Sequence, residues 1–176
     1  MEEKINLYMI NKLLKIFLKK EKEAIKNKDF SSLRNLLIAH ISLVTGFRKS
    51  EILVLGLDSI NNEFKNLIIK DNEWGNKIGK LPNELFDTLI VYINHRETEK
   101  LFDVREKVIL AWYKRFYQKE IKKNIQIRFI YWYFKKIRKF NIIPFKSFHE
   151  LRLGSLLLNK AYFSSNKSIE RIKLAC

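Results

Sequence analysis

Three residues in this chain combine a type and a spacing that could do chemistry. Arg48 stands in LVTGFRKSE (43–51), where an apolar run ends in a glycine and an arginine follows at the edge of the core. His149 and Arg152 stand in KSFHELRLGS (146–155). Ser147 followed three residues later by Glu150 has the form of a capping box, which puts the pair in the first turns of a helix. Being three residues apart, they share one helix face. Helix N-termini present free N–H groups and positive potential, so they attract phosphate. A planar guanidinium meets two anionic oxygens at once, and an imidazole exchanges protons near neutral pH. These types suit the handling of a phosphate group. Taken singly, each has a plainer reading: Arg48 as the ion-pair partner of Glu51, and His149 with Arg152 as a surface histidine and an ordinary cation.

The composition narrows the partner. The net charge is +16, from 35 Lys or Arg and 19 Asp or Glu. The excess is uneven, since residues 105–152 hold 14 Lys or Arg against 3 acids. AT-rich coding sequence can supply lysines, but it does not explain the shortage of acids. A folded domain with one strongly basic portion points to a polyanion, nucleic acid first and acidic membrane or protein surfaces after it. A lone cysteine, Cys176, excludes an intrachain disulfide and fits a reducing compartment. No Cys/His cluster has metal-ligand spacing, so neither a metal nor a cofactor is expected. The start, MEEKINLY, is too acidic and polar for a signal peptide. No apolar run approaches the roughly 20 residues a spanning helix needs. The expectation is a soluble cytoplasmic protein, nucleoid-associated if its partner is DNA.

The elements that must position these residues can be read from periodicity. Residues 5–27 predict a helix with Leu7, Ile10, Leu14, Phe17 and Leu18 on one side and lysines on the other. DFSSLRNLLIAHISLVTG predicts a second, with Leu33, Leu36, Leu37, Ile41 and Val44 at helical spacing, Asp29 or Ser31 as its cap and Gly46 past its end. A third begins near Ser50. The period then changes: 63–70 and 76–82 predict two strands of a hairpin joined by DNEWG. After Pro82 the pattern is helical again, over 83–95, 104–122, 125–140, 147–163 and 168–176. The aromatic and basic run 127–140 predicts a helix with Tyr131 and Phe134 turned to the core and its cations turned outward, although such a run can also stack on single strands. The fold class is mainly α with a small antiparallel β-hairpin or sheet, an α+β arrangement within one domain over 1–176.

Taken together, the two stretches resemble the catalytic domain of the tyrosine recombinase, or phage integrase, family. Its first box reads approximately Thr-Gly-Leu-Arg-x-Ser-Glu-Leu, matched here by Thr45-Gly46-Phe47-Arg48-Lys49-Ser50-Glu51-Ile52. Its second reads approximately His-x-Leu-Arg-His, matched by His149-Glu150-Leu151-Arg152-Leu153. The family places a β-hairpin and then helices between them. The resemblance implies DNA strand cleavage and rejoining without metal or cofactor, as in site-specific recombination or integration. Arg48 and Arg152 would hold the scissile phosphate, His149 would assist, and a hairpin lysine would protonate the leaving oxygen while a tyrosine attacks. Glu51 would be structural support. It also implies double-stranded DNA as partner and a homo-oligomer on that DNA.

The match has departures. The hairpin lysine's expected position falls near Trp74, flanked by Lys70 and Lys77, with Lys80 a weaker candidate. Leu153 stands where a second histidine is common. The family's nucleophilic tyrosine lies a short helix and a Gly-His step beyond the second box, and the sequence reaches Cys176 before it; Tyr162 follows Arg152 too closely to substitute. A separate N-terminal core-binding domain is also not represented. Two function classes follow: a catalytic-domain fragment or minimal member of a strand-exchange enzyme, and a non-catalytic DNA-binding remnant or accessory protein. An unrelated helical RNA-binding protein is a third.

Overall fold

The run of apolar residues that ends at Gly46 forms the central element. In the computed structural model, which describes residues 7–70, 75–96, 98–124 and 145–159, α2 (Phe30–Thr45) is buried at Leu33 and continuously from Asn35 to Leu43. A helix apolar on one side is a surface helix, whereas one apolar nearly all round belongs in the middle of the core. Asp29 caps its start by accepting from the Ser32 N–H at 2.9 Å. Gly46 ends it in the left-handed region at φ 75°, with its N–H on the Ser42 carbonyl.

Helix α1 (Leu7–Lys26) packs along α2 through Ile10, Leu13, Phe17, Glu21 and Ala24. That stripe corrects the expected one: Leu7 is exposed, and Leu14 and Leu18 are only half-buried. A straight helical stripe through Ile10 and Phe17 passes through Glu21, and hydropathy alone steers away from a glutamate. Glu21 is buried because His40 on α2 meets it at 2.8 Å.

Helix α3 (Lys49–Leu53) is short and leads through a 3-10 turn (Leu57–Ser59) into the sheet. Strands β1 (Ile60–Asn61), β2 (Asn66–Ile69) and β3 (Lys77–Lys80) lie antiparallel in the order β1-β2-β3. The expected hairpin is present with shorter strands. The third strand, β1, was not foreseen, because two residues cannot display a period of two.

Helices α4 (Asn83–Ile93) and α5 (Glu106–Phe116) follow, and α5 winds on through a π turn (Tyr117–Ile121) to residue 124. The last described helix, α6, covers 148–159. The architecture is mainly helical with a small three-stranded antiparallel sheet. Residues of α1, α2, α4, α5, α6 and the sheet share one apolar cluster. The helices expected at 125–140 and 168–176, the end of that expected at 147–163, and the residues Tyr131, Phe134 and Tyr162 lie outside the described residues. Among the described residues no helix is long and apolar enough to cross a membrane.

Candidate phosphate site

The first box is a rigid turn. The Thr45 hydroxyl donates to the Ile41 carbonyl at 2.7 Å and accepts from the Phe47 N–H at 3.1 Å. The Ser42 hydroxyl donates to the Phe47 carbonyl at 3.0 Å. Phe47 is buried, and Arg48, next in line, is delivered to the surface as the N-cap of α3. Lys49 ion-pairs with Glu106 at the start of α5, which ties α3 to that helix.

Glu51 does not pair with the Arg48 side chain. One of its oxygens accepts from the Arg48 backbone N–H at 2.6 Å, and the other meets Lys77 Nζ at 2.6 Å. The plainer reading of Arg48 therefore fails on geometry: the charge Glu51 answers is that of Lys77. Burial pushes the Glu51 carboxyl up, but the Lys77 and Arg48 hydrogen bonds and the charges behind them outweigh it, and the group sits below its ordinary value. The Arg48 guanidinium makes no ion pair within 4.0 Å among the described residues, although its charge also helps to lower Glu51.

The hairpin geometry selects among the lysines. Gly79 pairs with Leu67, and Lys77 with Ile69. Side chains alternate along a strand, so Lys77 shares the face of Gly79 while Lys70, Ile78 and Lys80 take the other. The Gly79 face lies directly on the first box: a Cβ there would stand 2.6 Å from Thr45 Cγ2 and 2.7 Å from Phe47 Cζ. Only a glycine permits that approach, and the approach carries Lys77 to Glu51. Lys70 is directed elsewhere, to Asp58 at 3.2 Å, and does not join the site. Lys80 is exposed on the outer face with it. The expected lysine position near Trp74 lies outside the described residues.

The second box opens α6 much as its sequence implies. The Glu150 N–H donates to Ser147 Oγ at 3.3 Å, and the Glu150 carboxylate reaches back to the Lys146 N–H at 3.0 Å, one residue earlier than the cap itself. The entry is fixed from α5. The Tyr113 hydroxyl donates to the Phe145 carbonyl at 2.8 Å, and its ring packs on Phe148. Phe145 is buried at φ 69°, a conformation costly for a bulky side chain and held here by those contacts. Burial, then the nearby Glu150 charge, pushes the Tyr113 hydroxyl well above its ordinary value.

The two boxes meet. Arg152 Nε donates to the Gly46 carbonyl at 2.9 Å, across 106 residues of chain and two residues from Arg48. The bond uses one of the five guanidinium donors and leaves the rest of the fork for another acceptor. Ser155, one turn further on, is buried and donates to the Arg152 carbonyl at 2.7 Å. A Cβ on Gly46 would stand 2.4 Å from Ser155 Oγ, so this glycine serves both the left-handed cap and the seating of α6. His149 is exposed one turn before Arg152 on the same helix.

Of the expected residues, Arg48, Glu51, Lys77 and Arg152 are thus linked through one chain of bonds, His149 stands on the Arg152 helix, and Lys70 is outside. Sequence reading missed Gly79, Ser155 and Tyr113. A glycine inside a strand was the available signal for the first. Among the described residues no group of three or more His, Cys, Asp or Glu side chains could hold a metal ion. No family model matches the chain, and neither a curated protein nor a solved structure matches it.

Proposed function

We propose that the chain handles a DNA phosphodiester with a cage of Arg48, Arg152, His149 and Lys77, as the tyrosine recombinase catalytic domain that its two boxes resemble would do. The observation that carries this reading is the bond from Arg152 Nε to the Gly46 carbonyl at 2.9 Å. Two short motifs 101 residues apart need not touch, and a chance pair would have no reason to. In the proposed reaction, Arg48 and the free fork of Arg152 bind the non-bridging oxygens, where charge grows in the transition state. His149 moves the nucleophile's proton. Lys77 leaves Glu51 to protonate the departing 5′-oxygen. A tyrosine that forms a 3′-phosphotyrosyl bond, later reversed by another 5′-hydroxyl, completes strand cleavage and rejoining. The finer fold assignment, a recombinase-like catalytic domain, belongs to the same proposal, as do double-stranded DNA as partner, an oligomer on it and association with the nucleoid.

A second reading, a DNA-binding remnant or accessory protein without cleavage, has its own supporting observation. Tyr92, Tyr113 and Tyr117 are buried, and burial raises each hydroxyl, that of Tyr117 to about 12. None of these three suits a nucleophile.

One experiment separates the readings. The protein is mixed with a labelled random-sequence duplex library, and the products are resolved with and without denaturation. Salt-sensitive duplex binding is expected under both readings. A covalent protein–DNA adduct that Arg48→Ala and Arg152→Ala abolish, with most binding retained, supports the enzyme. Binding without adduct supports the remnant. Absence of duplex binding, or adducts formed by both variants at the wild-type rate, overturns the cage.

A further inference from the structure

The face of α1 opposite the core is a single-sign stripe that the cage does not use. Lys12, Lys15, Lys19, Lys22 and Lys26 recur at steps of three and four residues. The buried stripe Ile10, Leu13, Phe17, Glu21 and Ala24 recurs in the same way on the other side. Lys15, Lys19, Lys22 and Lys26 are exposed. The acid at the stripe's edge, Glu23, is taken mainly by Lys20 at 2.9 Å and only loosely by Lys19 at 3.9 Å. Lys15, Lys22 and Lys26 have no acidic partner among the described residues. Lys12 lies over the Tyr8 ring, 4.9 Å from its centroid.

Such a row repels itself, and among the described residues Glu23, at its edge and shared with Lys20, is the acid that offsets the repulsion. At 1.5 Å per residue, five ammonium groups span about 21 Å. A partner that matches them is linear, rigid and anionic at close intervals. Duplex DNA carries a charge about every 1.7 Å of its axis. A basic amphipathic helix can instead lie on an anionic membrane, but that mode needs its apolar face to enter the lipid. Here Ile10, Leu13 and Phe17 are fully buried within the protein.

We propose that the lysine face of α1 is a docking surface for the phosphate backbone of duplex nucleic acid, separate from the cage. It uses no cage residue and stands or falls independently of the reaction proposed above. Its contribution is affinity without sequence choice, because backbone contacts position but do not specify.

The test compares three forms of the full chain by fluorescence anisotropy on a labelled mixed-sequence duplex, over a series of salt concentrations. One carries Lys15→Gln, Lys19→Gln, Lys22→Gln and Lys26→Gln. Another carries the same loss of charge scattered over the surface, as Lys28→Gln, Lys100→Gln, Lys107→Gln and Lys123→Gln. The third carries Arg48→Ala with Arg152→Ala. Glutamine and lysine have similar helix propensity, so α1 should persist, and circular dichroism checks it. Each direct phosphate contact contributes about 0.9 to the slope of log affinity against log salt. The α1 variant is expected to lose about 3 units of slope and at least tenfold in affinity at moderate salt, with the scattered variant losing clearly less. An unchanged slope in the α1 variant overturns the proposal. So does an equal loss in the scattered variant, which would mark net charge alone. Stronger binding of the parent protein to anionic phospholipid vesicles than to duplex, removed by the α1 changes, also overturns it in favour of a membrane. Loss confined to the Arg48/Arg152 variant would place the affinity at the cage and remove the α1 surface.

Discussion

Glu21 and Glu51 each hold a basic side chain through one carboxylate oxygen, at 2.8 Å for His40 and 2.6 Å for Lys77. Their surroundings differ. Glu21 and His40 are 1% and 3% exposed at their side chains, and the second oxygen of Glu21 has no hydrogen-bond partner among the described residues. Glu51 and Lys77 are 17% and 45% exposed, and the second oxygen of Glu51 accepts the Arg48 N–H. A group deep in the core has no water to fall back on, so its partner is obligatory. At the rim, water can replace either member, and an arriving anion can replace the carboxylate. The first pair therefore belongs to the fold, and the second is exposed enough for water to compete for its lysine. The same contrast separates the packed face of α1 from its lysine face.

The largest expected effect comes from breaking the core pair. His40→Ala leaves Glu21 buried without a partner and also removes the ring stacked on Phe17 at 5.2 Å. Losing one member of a buried pair costs about 3–5 kcal/mol. Urea unfolding followed by circular dichroism should show that loss. Replacing both residues together, Glu21→Leu with His40→Phe, should cost much less, because an apolar pair of similar volume can substitute for a buried hydrogen-bonded pair. Equal costs would mean that packing at His40, not the pair, sets stability here.

An intermediate effect is expected where hairpin and first box meet. Gly79→Ala places a methyl against Thr45 and Phe47, and neither can yield freely: Thr45 is locked by two hydrogen bonds and Phe47 is buried. Overpacking of this kind costs about 1–3 kcal/mol. The hairpin should shift, drawing Lys77 from Glu51, so on the proposed reading adduct formation should fall sharply while duplex binding is mostly kept. If Gly79→Ala changes stability without changing adduct formation, the hairpin does not serve the site.

What could be read in the sequence follows from how local each signal is. The cap at Asp29 and the left-handed Gly46 are written in neighbouring residues and form as their local chemistry dictates, whereas of the capping box the Ser147 half forms and Glu150 reaches one residue further back, to Lys146. The choice between Lys70 and Lys77 could not be read, because it depends on strand register, and one residue of register exchanges the faces. Glu21 was passed over because its partner lies on another helix. The resemblance implied that the two boxes face one phosphate, but not the bond between Arg152 and Gly46 that joins them. Its structural cause, a helix seated where a glycine leaves room for Ser155, is a property of packing that no short motif carries.

The smallest effect should come from Glu51 itself. Glu51→Gln removes a rim ion pair, and exposed pairs of this kind contribute about 0–1 kcal/mol, so the unfolding midpoint should hardly move. The pH response is more telling. The Glu51 carboxyl lies below its ordinary 4.5 in the folded chain. Its contribution to stability is therefore complete above that pH and is lost as pH falls through the lowered value. Protonation removes the charge that holds Lys77 and weakens the bond to the Arg48 N–H. The Arg48 amide should report this directly, with an NMR shift that titrates below pH 4.5 in the parent protein and stays flat in Glu51→Gln. A shift that titrates identically in both would mean that another group moves the amide, and the exchangeable rim pair would lose its place in the comparison. A midpoint loss as large as that of His40→Ala would remove the distinction from the other side, making Glu51 as much a part of the fold as Glu21.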